Sequence, residues 1–322
     1  MQRREFLQLA GAGAVALGSL TCSRSAIAAQ AKAGRIDAAA FHEMRRFAPT
    51  RFGRVAYVER GAGRAALFFH GWPLNGFQWR GALERLSPHR RCIAPDFIGM
   101  GYSEARADQD VSPGAQAEMM AALLDTLDID AVDIVCNDSG GTVAQLFAVR
   151  HPKRVRTILF TTCDVHENNP PAAFRPVIDL ARKGLVEQFI LRPALANHNF
   201  ARGPQSLGGA FTDPANLTDE CIETYLAPLV ATPERIARFN AYTVALAPNV
   251  LTSIEPELKR CAAPARMVWG DAAPGFPIES AHWLDQTLPH SRGVRIVPGA
   301  RLFFPEEMPD LIAEEAIRLW GS

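Results

Sequence analysis

The stretch "VCNDSGGTVAQ" (135–145) decides how this chain is read. It closes an apolar run, Val132-Asp133-Ile134-Val135-Cys136, and opens a segment in which Val143, Leu146 and Phe147 fall at helical spacing. Between them lie a carboxylate, a hydroxyl and two glycines. A strand that breaks this sharply into a helix pushes one side chain out at the turn and needs small residues where the backbones pass closely. Two candidates stand side by side. Asp138 has Cys136 and Gly140 two residues away on either side, and Ser139 has Asn137 and Gly141.

Outward from this turn, strand-like and helix-like segments alternate. "RVAYVE" (54–59), "AALFF" (65–69), "RCIAP" (91–95), "RTILFTT" (156–162), "ARMVW" (265–269) and "GVRIV" (293–297) read as strands. The short, wholly apolar runs among them are those expected of strands covered on both faces. Ser112-Pro113 is a helix start, a capping residue followed by Pro at the first helical position. From about 165 to 252 the alternation gives way to helical signals: "AFRPVIDLARKGLVEQFIL" and two segments capped by Thr218 and Thr232. Helical patterns then return at 277–288 and at the C-terminal stripe of Met308, Leu311, Ile312, Ala316, Leu319 and Trp320. Repeated βα units predict a mostly parallel sheet with helices on both faces. Open α/β sheets place their sites at the carboxyl ends of the strands. Those ends carry His70-Gly71-Trp72-Pro73, "DFIGMGYSE" (96–104), the 135–145 turn, and Cys163-Asp164-Val165-His166.

This ordered set resembles the α/β-hydrolase superfamily, and most of all its epoxide hydrolase and haloalkane dehalogenase branch, over roughly 46–320. H-G-x-P and D-x-x-G-x-G-x-S in this order are the specific part of the resemblance. It implies an α/β core at 46–164 and 253–322, an eight-stranded sheet, and a helical cap at 165–252 inserted after the sixth strand. In that family a His-Pro pair commonly closes the helix thirteen residues past the nucleophile. His151-Pro152 lies thirteen past Asp138, which puts Asp138 in the nucleophile position. The resemblance further implies that the backbone N–H groups of Trp72 and Ser139 form the oxyanion hole. A carboxylate nucleophile attacks an sp³ carbon and leaves an ester on the enzyme, and an activated water must then cleave it.

The same resemblance exposes a gap. It places the catalytic acid at Ala273, in Trp269-Gly270-Asp271-Ala272-Ala273, and the catalytic histidine at Leu302, in Pro298-Gly299-Ala300-Arg301-Leu302-Phe303. No histidine occurs in 291–322. Some dehalogenase-like members carry the acid after the sixth strand, where this chain has Asp164, with His166 two residues on. That pair could supply the base from the other side of the site, or simply hydrogen-bond the start of the cap. His70 has either a substrate-facing or a structural role in its turn. Epoxide hydrolases use cap tyrosines as proton donors to the opening oxygen; Tyr225 and Tyr242 lie in the cap region and could serve so, or simply pack there. Ser139 follows the nucleophile where dehalogenases carry a halide-holding Trp.

The remaining features bound the function class. The 322 residues carry 34 basic and 34 acidic side chains, a balance unlike the basic face of a nucleic-acid binder. Residues 1–29 contain Arg3-Arg4, Phe6-Leu7, a short apolar run from Leu9 to Leu20, and Ala26-Ile27-Ala28. They resemble a twin-arginine export signal, which implies transient contact with that export machinery, a periplasmic or secreted mature protein, and no stable membrane insertion. Five cysteines lie beyond this segment with no C-x-x-C pair, so they read as small core residues rather than metal ligands. No phosphate loop, cofactor motif or metal cluster is visible. The expectation is a hydrolase that takes a small apolar substrate, such as an epoxide or haloalkane. The alternatives are a degenerate ligand-binding relative, or a lyase or isomerase using Asp138 as a base.

Overall fold

The computed structural model describes residues 36–106 and 108–321; the export-signal reading lies outside them. One sheet organises the chain. Its strands are β1 (Arg45–Thr50), β2 (Gly53–Arg60), β3 (Ala65–Phe69), β4 (Arg91–Pro95), β5 (Val132–Asp138), β6 (Val155–Cys163), β7 (Ala265–Gly270) and β8 (Ser291–Val297). They lie in the order β1-β2-β4-β3-β5-β6-β7-β8. β1, β2 and β4 pair antiparallel, and all pairs from β4-β3 through β7-β8 are parallel. Every residue of β3 and β5 is buried, as the continuous apolar runs predict for strands sandwiched between helices.

The longer helices are α1 (Arg80–Leu86), α2 (Pro113–Thr126), α3 (Ser139–Arg150), α4 (Arg175–Arg182), α5 (Asp219–Leu226), α6 (Pro233–Ala245), α7 (Ile278–Thr287) and α8 (Pro309–Trp320). The capping residues read from sequence hold. The side chains of Ser112, Thr218 and Thr232 accept from the N–H groups of Ala115, Cys221 and Arg235. Between β6 and β7 the chain is helical and contains no strand. The apolar stretch at 173–191 is not one helix: α4 ends, Gly184 takes φ 71°, and a π-helical turn follows at Glu187–Leu191. β1 had no sequence signal, because it is an edge strand with only Ala48 buried. Its exposed Phe47 lies beneath the Arg54 guanidinium at 4.5 Å. Among the described residues no helix is long and apolar enough to cross a membrane.

The strand order positions the site. From β3 the chain moves to β4 on one side, while β5 lies on the other, so the loops after β3 and β5 diverge. A crevice opens outside their carboxyl ends, the place where ligands enter open α/β sheets.

Candidate active site

Asp138 is the last residue of β5 and stands immediately before α3, at φ 53° and ψ −132°. A non-glycine residue held there stores on the order of 1–3 kcal/mol of strain, and the surroundings hold it in place. A Cβ on Gly140 would come within 2.6 Å of the His70 carbonyl oxygen, so only glycine lets α3 start this close to the end of β3. A Cβ on Gly71 would lie 2.5 Å from the Asp138 carboxylate. Glycine there lets the next N–H, that of Trp72, donate to Asp138 Oδ2 at 2.7 Å. The Ser139 N–H also donates to this carboxylate, at the positive end of α3. Burial pushes the Asp138 pKa up to about 6, with the two N–H donors holding it from rising further.

A second carboxyl faces the same cavity. Asp164 follows β6, and its backbone N–H donates to the Asp138 carbonyl oxygen at 3.3 Å. Its Oδ2 accepts from Thr142 Oγ1 and Asn169 Nδ2, both at 3.1 Å. Its Oδ1 is buried without a hydrogen-bond partner. Burial, and then the nearby charge of Asp138, push the Asp164 pKa up to about 8. Burial raises both carboxyls, and the neighbouring Asp138 charge raises Asp164 further, so the two resist being ionised together and Asp164 is the one held more strongly toward its protonated form.

Both carboxyls line a cavity of about 310 Å³ between the sheet's carboxyl edge and the helical segment. Among the described residues they are the only ionisable side chains that line it; the rest of its wall is mostly apolar. The Trp72 indole forms part of that wall, held by its Nε1 donating to Thr243 Oγ1 at 2.9 Å and by stacking on Phe239. The loops that follow β7 and β8 contribute Pro274, Phe276, Leu302 and Phe303. Ala273 is buried, and Asp271 turns outward to accept from the Gly299 N–H at 2.7 Å. Leu302 faces the cavity, its carbonyl oxygen accepting from Asn137 Nδ2 at 3.0 Å.

None of the chain's eight histidines lines the cavity. His166 is not brought to Asp138: its Nε2 bonds Glu255 Oε2 at 3.0 Å and its ring stacks on Trp283. The positive φ of His166, 46°, belongs to the turn that aims it there. His70 is not substrate-facing either. It accepts from the Phe97 N–H through Nε2 and bonds the Gly71 carbonyl through Nδ1, tying the β3 turn to the β4 turn. Burial lowers its pKa to about 4, so it is neutral. Tyr225 lies off the cavity in a buried cluster where Arg80 pairs with Glu306 at 2.6 Å and also donates to the Tyr225 hydroxyl. Tyr242 is fully buried and does not line the cavity, although its hydroxyl lacks a hydrogen-bond partner; burial, and less strongly the charges of Asp138 and Asp164, raise its pKa.

Sequence reasoning missed Thr142 and Asn169. Asn169 Nδ2 bonds both Thr142 Oγ1 and Asp164 Oδ2, and its Oδ1 accepts from the Val250 N–H. It thereby fastens both ends of the helical segment to the acid. The only sequence trace was its place in Asn168-Asn169-Pro170-Pro171, which marks a turn but not a partner.

The sheet order, the elbow and the loop placement define a class, and comparison gives it a family: the chain belongs to the α/β hydrolase fold family, matched over residues 66–307. It is similar to 2-hydroxymuconate semialdehyde hydrolase of a Pseudomonas species, 36% identical over 113 residues, which are 33% of this chain and 38% of that protein. It is similar to a haloalkane dehalogenase of Mesorhizobium japonicum, 40% identical over 107 residues, 33% of this chain and 34% of that one. The chain thus spans little more than a third of these relatives. Haloalkane dehalogenase 2 of Mycobacterium tuberculosis matches over 84% of this chain and 92% of its own length at 27% identity. Among solved structures, epoxide hydrolase CorEH has a TM-score of 0.72 at 20% identity, covering 86% of this chain and 98% of its own. That likeness concerns the fold.

Proposed function

We propose that the protein hydrolyses a small apolar epoxide, with Asp138 as the nucleophile and Asp164 as the carrier of the proton. The observation that carries this reading is the carboxyl pair on one mostly apolar cavity, Asp138 accepting from the Trp72 N–H and Asp164 with one carboxyl oxygen unpartnered, its pKa raised by burial and by Asp138. Asp138 attacks an epoxide carbon; the carbon–oxygen bond breaks, and the freed oxygen takes the Asp164 proton through the unpartnered Oδ1. The products are a hydroxyalkyl ester on Asp138 and a carboxylate on Asp164. Esterification removes the Asp138 charge, which is the second cause of the raised Asp164 pKa, so Asp164 remains ionised more readily and serves as the base.

Asp164 then takes a proton from water, whose oxygen adds to the ester carbonyl. The oxygen held by the Trp72 and Ser139 N–H groups carries the developing charge. Collapse expels the diol oxygen, which takes the proton of the regenerated Asp138 acid. Epoxide and water have become a diol, with Asp138 ionised and Asp164 protonated as at the start. The cycle needs no histidine, which fits Leu302. A halide leaves without taking a proton, so Asp164 would first have to give its proton to solvent before acting as base, a step the epoxide route does not need. The Trp72 indole N–H, moreover, is engaged by Thr243. The pair therefore favours epoxides over haloalkanes.

Multiple turnovers of styrene oxide in H₂¹⁸O test the reading. The Asp138 peptide is expected to gain ¹⁸O, since water attacks the ester carbonyl. Label found in the diol alone would overturn it. The apolar Ala273 and Leu302 support a second reading, a ligand-binding relative without turnover, and absence of any diol would favour that one.

A further inference from the structure

The described residues include four exposed large hydrophobic side chains: Phe47, Phe189, Phe200 and Ile317. Single exposed apolar residues are ordinary, and Phe47 has its own cover in Arg54. Phe189 and Phe200 differ, because they are 54% and 44% exposed and both also line the cavity that holds Asp138. They belong to different pieces of the helical segment, the π-helical turn Glu187–Leu191 and the short helix His198–Ala201. The widened turn brings three consecutive side chains, Phe189, Ile190 and Leu191, to the cavity wall. Single π-helical turns are rare and are frequently found at functional sites. The outcome is a mostly apolar strip that starts at the two carboxyls and runs out into solvent; Gln205 and Ser206 are polar members of the lining, and among the described residues no charged side chain lines it beyond the two carboxyls.

We infer that this strip is a subsite for an unbranched alkyl tail, so that the substrate is a lipophilic molecule with its reactive group at one end and a chain longer than the cavity at the other. The epoxide as the reactive end rests on the proposed function; the tail subsite rests on Phe189 and Phe200. A charged tail would lose solvation along this wall and, among the described lining residues, find no opposite charge, with Gln205 and Ser206 the polar side chains beside the rings. The alkyl chain gains burial with each methylene and covers the two rings that otherwise face water.

The test uses straight-chain alcohols from butanol to decanol, which bind without reacting, measured by calorimetry on the protein. Affinity is expected to rise about fourfold per methylene. In the Phe189→Ser/Phe200→Ser variant butanol affinity should stay within about twofold while decanol affinity falls at least about tenfold. Phe189→Leu/Phe200→Leu should restore most of the decanol affinity. Equal losses for butanol and decanol, no loss for decanol, or no chain-length dependence in the wild type would each overturn the inference. Sedimentation with neutral phosphatidylcholine vesicles separates the other source of an apolar surface. Vesicle binding that disappears in the serine variant while the alcohol series is unchanged would assign the rings to a membrane surface and overturn the tail subsite. An intact alcohol series without epoxide turnover would sink the proposed chemistry and leave this inference standing.

Discussion

The two halves of the cavity floor differ in what their loops carry. The loops after β3, β5 and β6 keep polar devices: the Trp72 N–H, the Asp138 elbow, and Asp164 with Thr142 and Asn169 around it. The loops after β7 and β8 have the same placement but deliver Pro274, Phe276, Leu302 and Phe303. One half presents carboxyls and a backbone donor to the cavity; the other presents apolar side chains. The contrast teaches that the two titratable side chains lining the cavity among the described residues, Asp138 and Asp164, come from the same half of its floor. It also explains why the second carboxyl is so perturbed. With apolar loops opposite and a like charge beside it, Asp164 has burial and repulsion acting together.

The largest expected effect comes from removing the attacking group. Asp138→Asn should lower epoxide turnover by about 10⁴-fold or more, read by diol formation, with the fold intact by circular dichroism. Undiminished turnover would move the chemistry off the elbow. Next, Asp164→Asn should cost about 10²–10⁴-fold. The wild-type rate should rise as Asp138 ionises near pH 6 and fall as Asp164 loses its proton near pH 8. The variant should keep the lower limb and lose the upper one.

A gain-of-function change sharpens the contrast between the halves. Combining Leu302→His and Ala273→Asp in the Asp164→Asn background should speed release of the Asp138 ester at least about tenfold, read by intact mass in single turnover. No acceleration would mean that the β7 and β8 loops cannot be made to serve.

A smaller effect appears in stability. The folded Asp164 pKa lies above its usual value, so the fold holds this proton, and ionising the group destabilises the native state. The penalty is absent near pH 4 and grows as pH rises through about 8. Asp164→Asn should therefore raise the melting temperature at pH 8 and shift it much less at pH 4–5. His166→Ala is the smallest. With its ring on Trp283 and its nitrogen on Glu255, the substitution should change turnover by less than about twofold. A loss as large as that of Asp164→Asn would restore His166 to the site.

Much of this was legible because it is local. β3 and β4 read directly from apolar runs at 65–69 and 91–95, and the helix caps from Ser112, Thr218 and Thr232. The strand-to-helix break at Asp138-Ser139 was legible because it is a contiguous stretch, while preferring Asp138 to Ser139 rested on the family resemblance through the position of His151-Pro152. Other residues were ambiguous for a definite reason. Asp164 and His166 are two apart in sequence, yet a turn with His166 at φ 46° sends one carboxyl to the cavity and the imidazole to Trp283. Tyr225 and Tyr242 both lie on amphipathic helices. Only packing against Arg80 and Glu306, or beside the carboxylates, separates their surroundings.

The sequence by itself determined the alternation of elements, the elbow with Asp138, and the apolar residues at 273 and 302, since each is written within a few consecutive residues. The tertiary structure alone decided that Asp138 and Asp164 share one cavity, that His166 does not reach it, and that Thr142 and Asn169 hold the acid. Those are contacts between strand ends and a distant helical segment. The carboxyl pKa values follow from the burial and charge that such contacts create, and burial and charge proximity are properties of three-dimensional placement that no stretch of chain carries alone.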